Sequence, residues 1–305
     1  MRVIVTHESA DFDALASTVA ALKLYPDAEI VLGRRVAPTV RDFLALHKDS
    51  FPLKYWSDVD FSKVTDAVIV DVRQARRLSA YAPLAQRIRA GEVRAHIWDH
   101  HAASDDDLPA VWESIQPIGS TATLLLEEIL RRNLSLTPLE ATLLALGIYT
   151  DTGSLTYAGT TPRDAHAVAE LLSRGASLRM VNRYLRSALT EDQRAVLAQL
   201  LGAVRVYEIA GVDVGFGTVE LDRNVDGLAA VTSQVIKLEG HAALFALYRR
   251  KNKLQVIGRA RVPYVDVGAV LQELGGGGHA GAGSATVKDG DPDEVRARLL
   301  EILKA

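Results

Sequence analysis

Two stretches of sequence indicate the fold of this chain, and the first, at residues 96–101, reads His96-Ile97-Trp98-Asp99-His100-His101. An apolar run leads into this stretch, and polar side chains follow where the run ends. Near the start of the chain, a β-rich run leads in the same way into Thr6-His7-Glu8-Ser9-Ala10-Asp11-Phe12-Asp13. Because an open α/β sheet presents its ligands at the carboxyl ends of buried parallel strands, we expect the chemistry of this protein at both stretches.

Outward from these two stretches, apolar runs alternate with segments of helical periodicity. The apolar runs predict strands over residues 2–6, 28–32, 67–72 and 93–98. The periodic segments predict helices from Asp13 onward and over residues 40–46 and 78–89. Alternation of this kind predicts a doubly wound, mainly parallel sheet with right-handed crossovers. This first α/β domain is completed by helices predicted over residues 120–132, 138–149, 162–174 and 181–185.

A second, smaller α/β domain is predicted after one more helix at residues 190–201. Its strands are expected at residues 203–209, 212–218, 243–248, 254–259 and 284–287, and its helices at residues 265–274 and 292–303. We therefore predict a first domain at residues 1–186, a connecting segment at 187–202 and a second domain at 203–305. The connecting segment would leave a cleft between the two bodies, and we expect the active site there.

Composition narrows the class of protein. The 305 residues include no cysteine, which excludes disulfides, thiolate nucleophiles and metals held by sulfur. A formal net charge of -3 argues against a surface that grips long duplex nucleic acid. No apolar run reaches the roughly 18 residues that a membrane-spanning helix needs, and no signal-peptide pattern is present. We therefore expect a cytoplasmic protein that does not associate with membranes.

Polar side chains at the ends of predicted strands and helices form one candidate set: His7, Asp11, Asp13, Asp71, His100 and Asp151. Each aspartate has an alternative role as a turn residue or a helix cap, so no single position decides the matter. Together they supply four carboxylates and two imidazoles, a donor set that suits Mn²⁺ or Mg²⁺. The set predicts a two-metal centre, in which ions about 3.5–4 Å apart share a carboxylate, activate water and stabilise charge on a phosphoryl group.

A glycine-rich run occupies the predicted second domain and reads Gly275-Gly276-Gly277-Gly278-His279-Ala280-Gly281-Ala282-Gly283. Glycine lets backbone N–H groups approach an anion closely. The run lacks the Gly-Lys-Ser/Thr ending of a nucleoside-triphosphate loop. Arg259 and Arg261 precede it and favour phosphate binding. The alternatives are a flexible turn for the glycines and a solvated strand face for the arginines.

Five motifs stand in the order typical of one protein family: His7-x-x-x-Asp11-x-Asp13, Val70-Asp71, Asp99-His100-His101, Asp151-Thr152-Gly153 and Gly276-Gly277-Gly278-His279. Over nearly its whole length the chain thereby resembles the DHH family phosphoesterases that carry a DHH-associated C-terminal domain. Within that family its size and domain content look most like the nanoRNase group. Members of this group are bifunctional oligoribonucleases that also dephosphorylate 3'-phosphoadenosine 5'-phosphate.

The resemblance implies a role for each motif residue. His7 and Asp11 would bind one Mn²⁺ ion, Asp13, His100 and Asp151 would bind the other, and Asp71 would bridge the two, with Mg²⁺ as the alternative metal. Catalysis would involve Asp71, Asp99, His100 and His101, with Asp99 in support and His101 facing the substrate or assisting the leaving group. The substrate phosphate would be held by Arg259, Gly277, Gly278 and His279.

The resemblance also implies a function. We expect a two-metal phosphodiesterase that hydrolyses very short oligoribonucleotides to mononucleotides and also acts on 3'-phosphoadenosine 5'-phosphate. Its partners would be short single-stranded RNA or small nucleotides, and a homodimer is left open. A cleft between two modest domains suits a substrate of a few nucleotides, because a longer strand needs a more extended basic surface.

Two departures from the common pattern keep other functions open. Phe12 stands where nanoRNases usually have glycine, and in this respect the chain looks more like modules fused to tRNA nucleotidyltransferases. Arg259 is followed two residues later by Arg261, whereas many relatives carry only a single arginine in this segment. The alternatives are therefore a cyclic or linear dinucleotide phosphodiesterase and a non-catalytic nucleotide-binding module. Retention of all six expected metal ligands speaks against the non-catalytic module.

Overall fold

The structure is a computed structural model that describes residues 1–185, 189–261 and 264–304. The chain divides into two compact units, Met1–Ser187 and Ala188–Ala305. The predicted domain boundary at residues 186 and 187 lies outside the described residues. A helix over Glu191–Ala203, which covers most of the predicted connecting segment, belongs to the second unit.

The first unit alternates strands and helices. Its strands are β1 (Arg2–Val5), β2 (Ser9–Ala10), β3 (Ala28–Leu32), β4 (Arg35–Val36), β5 (Leu53–Tyr55), β6 (Asp66–Val70), β7 (Arg94–Asp99) and β8 (Trp112–Ile115). Its α-helices are α1 (Phe12–Leu24), α2 (Pro38–His47), α3 (Ala82–Arg89), α4 (Thr121–Arg131), α5 (Pro138–Asp151), α6 (Pro162–Ser173) and α7 (Leu178–Leu185). Short 3₁₀ helices cover Lys48–Ser50, Trp56–Asp58, Phe61–Lys63 and Ala75–Tyr81.

Six of these strands form one wholly parallel sheet in the order β5-β3-β1-β6-β7-β8. The short strands β2 and β4 pair separately. Because the strands of the main sheet run in one direction, the segments that follow β1, β6 and β7 emerge at the same edge. The topology therefore places the two quoted stretches and Asp71 at one edge of the sheet.

Alternating side chains of the central strands face two separate cores. Ile4, Val68 and Val70 pack with α1, α4 and α5, whereas Val5 and Ile69 pack with α3. Both faces of the sheet are therefore covered, which explains why the central strands read as continuous apolar runs.

One glycine controls how closely α1 and α5 approach. A Cβ atom at Gly147 of α5 would lie 3.0 Å from Ala16 Cβ and 3.1 Å from both Cα and Oδ1 of Asp13. Asp151 lies one helical turn beyond Gly147, on the same face of α5. The close contact at Gly147 therefore brings the carboxylates of Asp13 and Asp151 toward one point.

The second unit is built on a mixed sheet. Its strands are β9 (Arg205–Ile209), β10 (Val212–Glu220), β11 (Ala243–Arg250), β12 (Lys253–Ala260), β13 (Gly277–His279) and β14 (Ala282–Lys288), in the sheet order β13-β14-β12-β11-β10-β9. Its helices are α8 (Glu191–Ala203), α9 (Leu228–Glu239), α10 (Val267–Gln272) and α11 (Pro292–Lys304). Helices α8 and α9 pack on one face of the sheet, and α10 and α11 on the other. The parallel pair β10 and β11 is joined by the crossover helix α9.

The structure confirms the predicted α/β class with a parallel-sheet domain followed by a second α/β domain. The expectation of an active-site cleft between the domains stays a prediction. Several predicted bounds were wrong. The strand at residues 67–72 ends at Val70, so Asp71 lies just beyond it, and the predicted helix at 78–89 is a 3₁₀ helix followed by α3. Helix α5 runs through Asp151 instead of ending at Tyr149.

Several elements were not predicted, among them the short strands β2, β4 and β13. Strands β5 and β8 lie at the two edges of the parallel sheet and are only three and four residues long, and their periodicity is correspondingly weak. Helix α9 was also missed. In the second unit, residues 277–279 of the glycine-rich run form an edge strand, not a free turn. Among the described residues, no helix combines the length and apolarity needed to cross a membrane.

Candidate metal centre

The six predicted metal ligands converge at the carboxyl edge of the parallel sheet, where they form two overlapping groups. One group is His7, Asp11 and Asp71, and the other is Asp13, Asp71, His100 and Asp151. Within each group the potential ligand atoms lie within 4.8 Å of one another. Asp71 belongs to both groups, as expected for a carboxylate that bridges two sites.

Asp71 lies between the two histidines. Its Oδ2 is 3.5 Å from His7 Nε2, and its Oδ1 is 3.5 Å from His100 Nε2. The residue adopts a left-handed backbone with φ of 59°, a conformation that aspartate and asparagine tolerate better than most residues. The Thr121 hydroxyl donates to Asp71 Oδ1 at 3.1 Å and orients the carboxylate. A buried aspartate with an unusual backbone at a strand end is typical of a functional position.

A backbone carbonyl orients His100. Its Nδ1 donates to the carbonyl oxygen of Ile118 at 2.9 Å. Its Nε2 therefore faces the carboxylates and lies 3.2 Å from Asp151 Oδ2. Metal-binding histidines are commonly held in this way, with one ring nitrogen fixed by a carbonyl and the other directed at the ion.

The two aspartates near the start of α1 also serve as helix caps. Asp11 caps α1 by accepting from the Ala14 N–H at 3.1 Å. Asp13 is fully buried and accepts from the N–H groups of Thr121 and Ala122, at 2.7 and 2.9 Å. These two N–H groups belong to the first turn of α4, where the helix dipole favours negative charge. The capping role considered from the sequence is therefore real, and it coexists with a place in the cluster.

The cluster carries a strong negative potential. Burial raises the pKa of Asp13 well above its usual range, and the neighbouring Asp71 and Asp151 raise it further. Burial alone would lower the pKa of His100, but Asp151 and Asp71 outweigh it and raise the pKa to about 12. Burial opposes ionisation of Asp71, yet His100 and His7 hold its pKa below the usual range. Four carboxylates in so small a volume need cationic partners.

The donor set fits divalent metal ions. His7 Nε2 and His100 Nε2 are buried, and neither makes a hydrogen bond within the described part of the chain. Each nitrogen instead faces a carboxylate oxygen, at 3.5 Å for His7 and 3.2 Å for His100, and a cation bound between nitrogen and carboxylate would satisfy both groups. Four oxygen donors and two nitrogen donors without sulfur match the preference of Mn²⁺ or Mg²⁺. The residues present therefore fit the metal that the motifs imply.

Asp99 and His101 form a third group of potential ligands with Asp71 and His100, whose ligand atoms also lie within 4.8 Å of one another. His101 Nδ1 donates to Asp99 Oδ1 at 2.7 Å, which leaves Nε2 as an acceptor. Arg77 Nη1 donates to that Nε2 at 3.3 Å. No carboxylate lies within salt-bridge distance of Arg77 among the residues that the structure describes, so its guanidinium can bind an anion. Sequence reasoning missed Arg77, because Arg73, Arg76 and Arg77 stand close together and only the fold shows which one faces His101.

Asp164 was also missed. It is fully buried, and it accepts from the Gly119 N–H at 3.0 Å and from the Thr123 hydroxyl at 2.7 Å. It therefore holds the loop that carries the Ile118 carbonyl and Thr121. A TPxD helix start does mark Asp164 in the sequence as a capping residue. Its contact with the loop more than forty residues earlier leaves no local signal.

The predicted phosphate-binding residues lie in the second unit. Arg259, Gly277 and Gly278 line one cavity of about 280 Å³. Arg259 donates to the Ser233 hydroxyl at 2.9 Å. His279 is exposed and pairs with Ala282 in the β13–β14 hairpin. Gly278 permits this hairpin, because its φ is 153° and a Cβ there would lie 2.2 Å from the Ala282 oxygen. The structure thus brings three of the four residues to one cavity, and His279 is not among the residues that line it.

The chain is 38% identical over 304 residues to the A-adding tRNA nucleotidyltransferase of Geobacter sulfurreducens, covering 99% of this chain and 34% of that protein. It is 27% identical over 212 residues to the cyclic-di-AMP phosphodiesterase PdeA of Listeria monocytogenes, covering 68% of this chain and 32% of that protein. It is 30% identical over 167 residues to the bifunctional oligoribonuclease and PAP phosphatase NrnA of Thermus thermophilus, covering 54% of this chain and 50% of that protein.

The chain spans about a third of the length of the first of these relatives. Among solved structures, an exopolyphosphatase-related protein from Bacteroides fragilis matches with a TM-score of 0.79 and 19% identity, covering 99% of this chain and 92% of that one. At this identity the match shows a shared fold. Residues 2–148 match the DHH family N-terminal domain and residues 211–305 match the DHHA1 domain. The chain therefore carries a DHH family N-terminal domain followed by a DHHA1 domain.

Proposed function

We propose that this protein is a metal-dependent phosphodiesterase that hydrolyses very short oligoribonucleotides. One observation carries the proposal, namely that Asp71 is the one residue that the group with His7 and Asp11 shares with the group of Asp13, His100 and Asp151. Two cation sites joined by one carboxylate are typical of enzymes that hydrolyse phosphate esters. The DHH domain match over residues 2–148 supports the same reaction class.

Each group would hold one ion, preferably Mn²⁺. His7 and Asp11 would hold the first ion, Asp13, His100 and Asp151 the second, and Asp71 would contact both. Bound divalent ions would polarise the phosphoryl group and lower the pKa of a water molecule. The protein orients the ligands through the Ile118 carbonyl at His100 and the Thr121 hydroxyl at Asp71.

Side chains beside the cluster would hold the substrate. Asp99 holds the His101 proton at Nδ1, so His101 Nε2 has no proton to donate. The hydrogen-bond donor beside this nitrogen is the guanidinium of Arg77. A guanidinium at this position would bind a non-bridging phosphate oxygen. Arg259 and the open backbone at Gly277 would provide a second phosphate contact from the DHHA1 domain. Arg77 therefore joins Arg259 as a candidate phosphate-binding residue.

Several observations support a small nucleotide substrate. The cavity at Arg259 measures only about 280 Å³, and the net charge of -3 provides no excess of cations for a long strand. The similarity to the Thermus thermophilus protein favours short RNA and 3'-phosphoadenosine 5'-phosphate. The similarity to the Listeria monocytogenes protein makes cyclic or linear dinucleotides neighbouring candidates.

A second candidate function is a nucleotide-binding module within a longer chain. The 38% identity to the Geobacter sulfurreducens tRNA nucleotidyltransferase, across 99% of this chain, favours it. In that case the DHH and DHHA1 domains would engage RNA for an activity that resides elsewhere. Intact metal ligands are compatible with both functions, so only a turnover measurement separates them.

The test is a hydrolysis panel with purified protein and added Mn²⁺. The substrates are RNAs of two to five nucleotides, long single-stranded RNA and DNA, 3'-phosphoadenosine 5'-phosphate, cyclic dinucleotides and pyrophosphate. Mononucleotides released chiefly from the shortest RNAs would support the proposal, and D71N protein is the matched control. If no substrate turns over while Mn²⁺ binds measurably, the enzymatic proposal is wrong and the binding module is favoured.

A further inference from the structure

The first unit contains a cavity that is separate from the candidate metal ligands. It measures about 620 Å³ and lies between strands β7 and β8 and helix α4. This volume falls within the range of small-molecule sites. None of the six candidate metal ligands lines it. The cavity therefore requires an explanation of its own.

The cavity has an aromatic floor formed by Tyr25, His96, Trp98 and Trp112. The rings of Trp98 and Trp112 lie 4.7 Å apart between centroids, and those of His96 and Trp112 lie 6.0 Å apart. Trp112 remains 42% exposed on the edge strand β8. A large, partly exposed indole beside other rings provides a surface on which a planar ligand stacks favourably.

A chain of hydrogen bonds sets the polarity of this floor. Trp98 Nε1 donates to the Tyr25 hydroxyl at 3.3 Å, and that hydroxyl lies 3.3 Å from His96 Nδ1. Because burial lowers the pKa of His96, its ring is neutral at pH 7 and accepts at Nδ1. The His96 Nε2–H is then left as a donor. Ser114 and Gln116 add hydroxyl and amide groups to the same lining, so a heterocycle could find hydrogen-bond partners.

Helix α4 makes the rim of the cavity cationic. Glu128 is held by Arg131 and Arg132, each at 2.6 Å, and Glu127 is paired with Arg163. Arg163 of α6 is not among the lining residues and neutralises Glu127, so within the lining Arg131 and Arg132 share the single carboxylate of Glu128. The hydrogen bond from Arg131 lowers the pKa of Glu128 to about 2, so this carboxylate is ionised and fully engaged. An organic cation would find no free carboxylate here, whereas an anion would find unused N–H donors.

The end of the cavity at Tyr25 and Arg131 is remote from the metal centre. Helices α1 and α4 both connect the two places, with Asp13 and Thr121 in the first turns at the metal centre and Tyr25 and Arg131 at the opposite ends. At about 1.5 Å of rise per residue, these ends are roughly 15–18 Å apart. A phosphate at Arg131 would therefore not contact the candidate metal ligands, whereas Trp98 lies two residues before His100 on β7.

We propose that this cavity binds a nucleoside monophosphate, with its base against Trp98 and Trp112 and its phosphate at Arg131 and Arg132. The aromatic floor accounts for a planar heterocycle, and the excess of one guanidinium accounts for a single phosphate group. The site is independent of the proposed hydrolysis. It would exist even if the metal centre had no catalytic activity.

Tryptophan fluorescence of the whole chain reports on this site directly. Trp98 and Trp112 line the cavity, whereas Trp56 packs with the core on the other face of the sheet. The titration uses adenosine monophosphate, adenosine and inorganic phosphate as probes. It is carried out on D71N, W56F protein in the presence of a chelator, so that binding at the metal centre does not contribute.

Saturable quenching by adenosine monophosphate is expected, with affinity about tenfold lower in W112A protein because stacking is lost. W112F protein should retain most of the affinity, since a ring remains. The R131A/R132A double variant should bind the monophosphate no better than adenosine. Equal binding of adenosine and its monophosphate to the unaltered site, or the absence of saturable quenching, would overturn the proposal.

A second measurement does not depend on any substitution at the cavity. The indole N–H resonances of Trp98 and Trp112 should shift during titration of the unaltered protein with adenosine monophosphate, while that of Trp56, assigned with W56F, stays in place. Shifts confined to Trp56, or no shifts at all, would contradict the proposal. Because D71N is not used here, failure of the proposed hydrolysis would not affect this result.

Discussion

His100 Nδ1 lies 2.9 Å from the carbonyl oxygen of Ile118, and this hydrogen bond determines which ring nitrogen faces the carboxylates. Ile118 is neither acidic nor close to His100 in sequence. Its carbonyl is presented by a loop that is itself held by the buried Asp164. The ligand geometry at the sheet edge therefore depends on residues that carry no metal-binding chemistry of their own.

Replacing Asp71 with asparagine should abolish metal-dependent hydrolysis. Asparagine retains the size of the side chain and tolerates the left-handed backbone, with φ of 59°, but it removes the charge shared by both ligand groups. The loss should exceed the roughly 100-fold that removal of an outer supporting group costs. Steady-state rates with Mn²⁺ measure it, and circular dichroism checks the fold. Turnover within a few fold of the unaltered protein would contradict the bridging role.

Replacing Arg77 with alanine should raise KM for short RNA more than it lowers kcat. The guanidinium donates to His101 and has no carboxylate partner among the described residues, so it is free to bind phosphate. Loss of a charge-assisted hydrogen bond should raise KM about tenfold or more. R77K should recover part of the affinity. R76A is the matched control, because the Arg76 side chain is exposed and contacts Gln74 only at 3.5 Å. Equal effects of R76A and R77A would exclude a specific role.

Replacing Arg259 with alanine should also raise KM, whereas R261A should not. Arg259 lines the cavity that includes Gly277 and Gly278, and Arg261 is exposed and is not part of that lining. The expected increase is again about tenfold. Measurement with both short RNA and 3'-phosphoadenosine 5'-phosphate shows whether the two substrates share this contact. Indistinguishable KM values for the two variants would remove Arg259 from the phosphate site.

Replacing Asp164 with asparagine should destabilise the first unit. The buried carboxylate accepts from Gly119, Thr123 and Thr161, and an amide nitrogen would leave some of these donors without an acceptor. The free energy of unfolding should fall by about 1–3 kcal/mol. Denaturant titration followed by circular dichroism provides this value. D49N, on an exposed 3₁₀ helix, serves as the control and should change the free energy by less than about 0.5 kcal/mol.

Glu128 should make stability depend on pH in the acidic range. Its pKa in the folded protein is lowered to about 2 from the usual 4.5, so its stabilising contribution is complete above pH 4.5 and is lost as the pH falls toward 2. In E128Q protein this contribution is missing at every pH. The difference in free energy of unfolding between the two proteins should therefore shrink from pH 6 to pH 3. A difference that stays constant or grows over that interval would contradict the assignment.

The local pattern of the sequence determined the order of strands and helices and the positions of most polar clusters. Central strands such as residues 66–70 are apolar on both faces, and this feature is visible without any tertiary information. The motif residues could be found because each follows such a strand or ends a helix. The edge strands β5 and β8 were not predicted, because short and partly exposed strands show little periodicity of apolar residues.

Only the tertiary structure shows which ligand groups contain Asp71. It also shows that Arg77 contacts His101 and that the loop with Ile118 orients His100. Each of these contacts joins segments far apart in sequence, such as Asp13 with Thr121 and Gly119 with Asp164. The aromatic cavity has the same origin, since Tyr25 and Trp98 meet only when α1 and β7 pack on each other. Local sequence specifies periodicity and turn chemistry, whereas long-range contacts depend on how the whole chain packs.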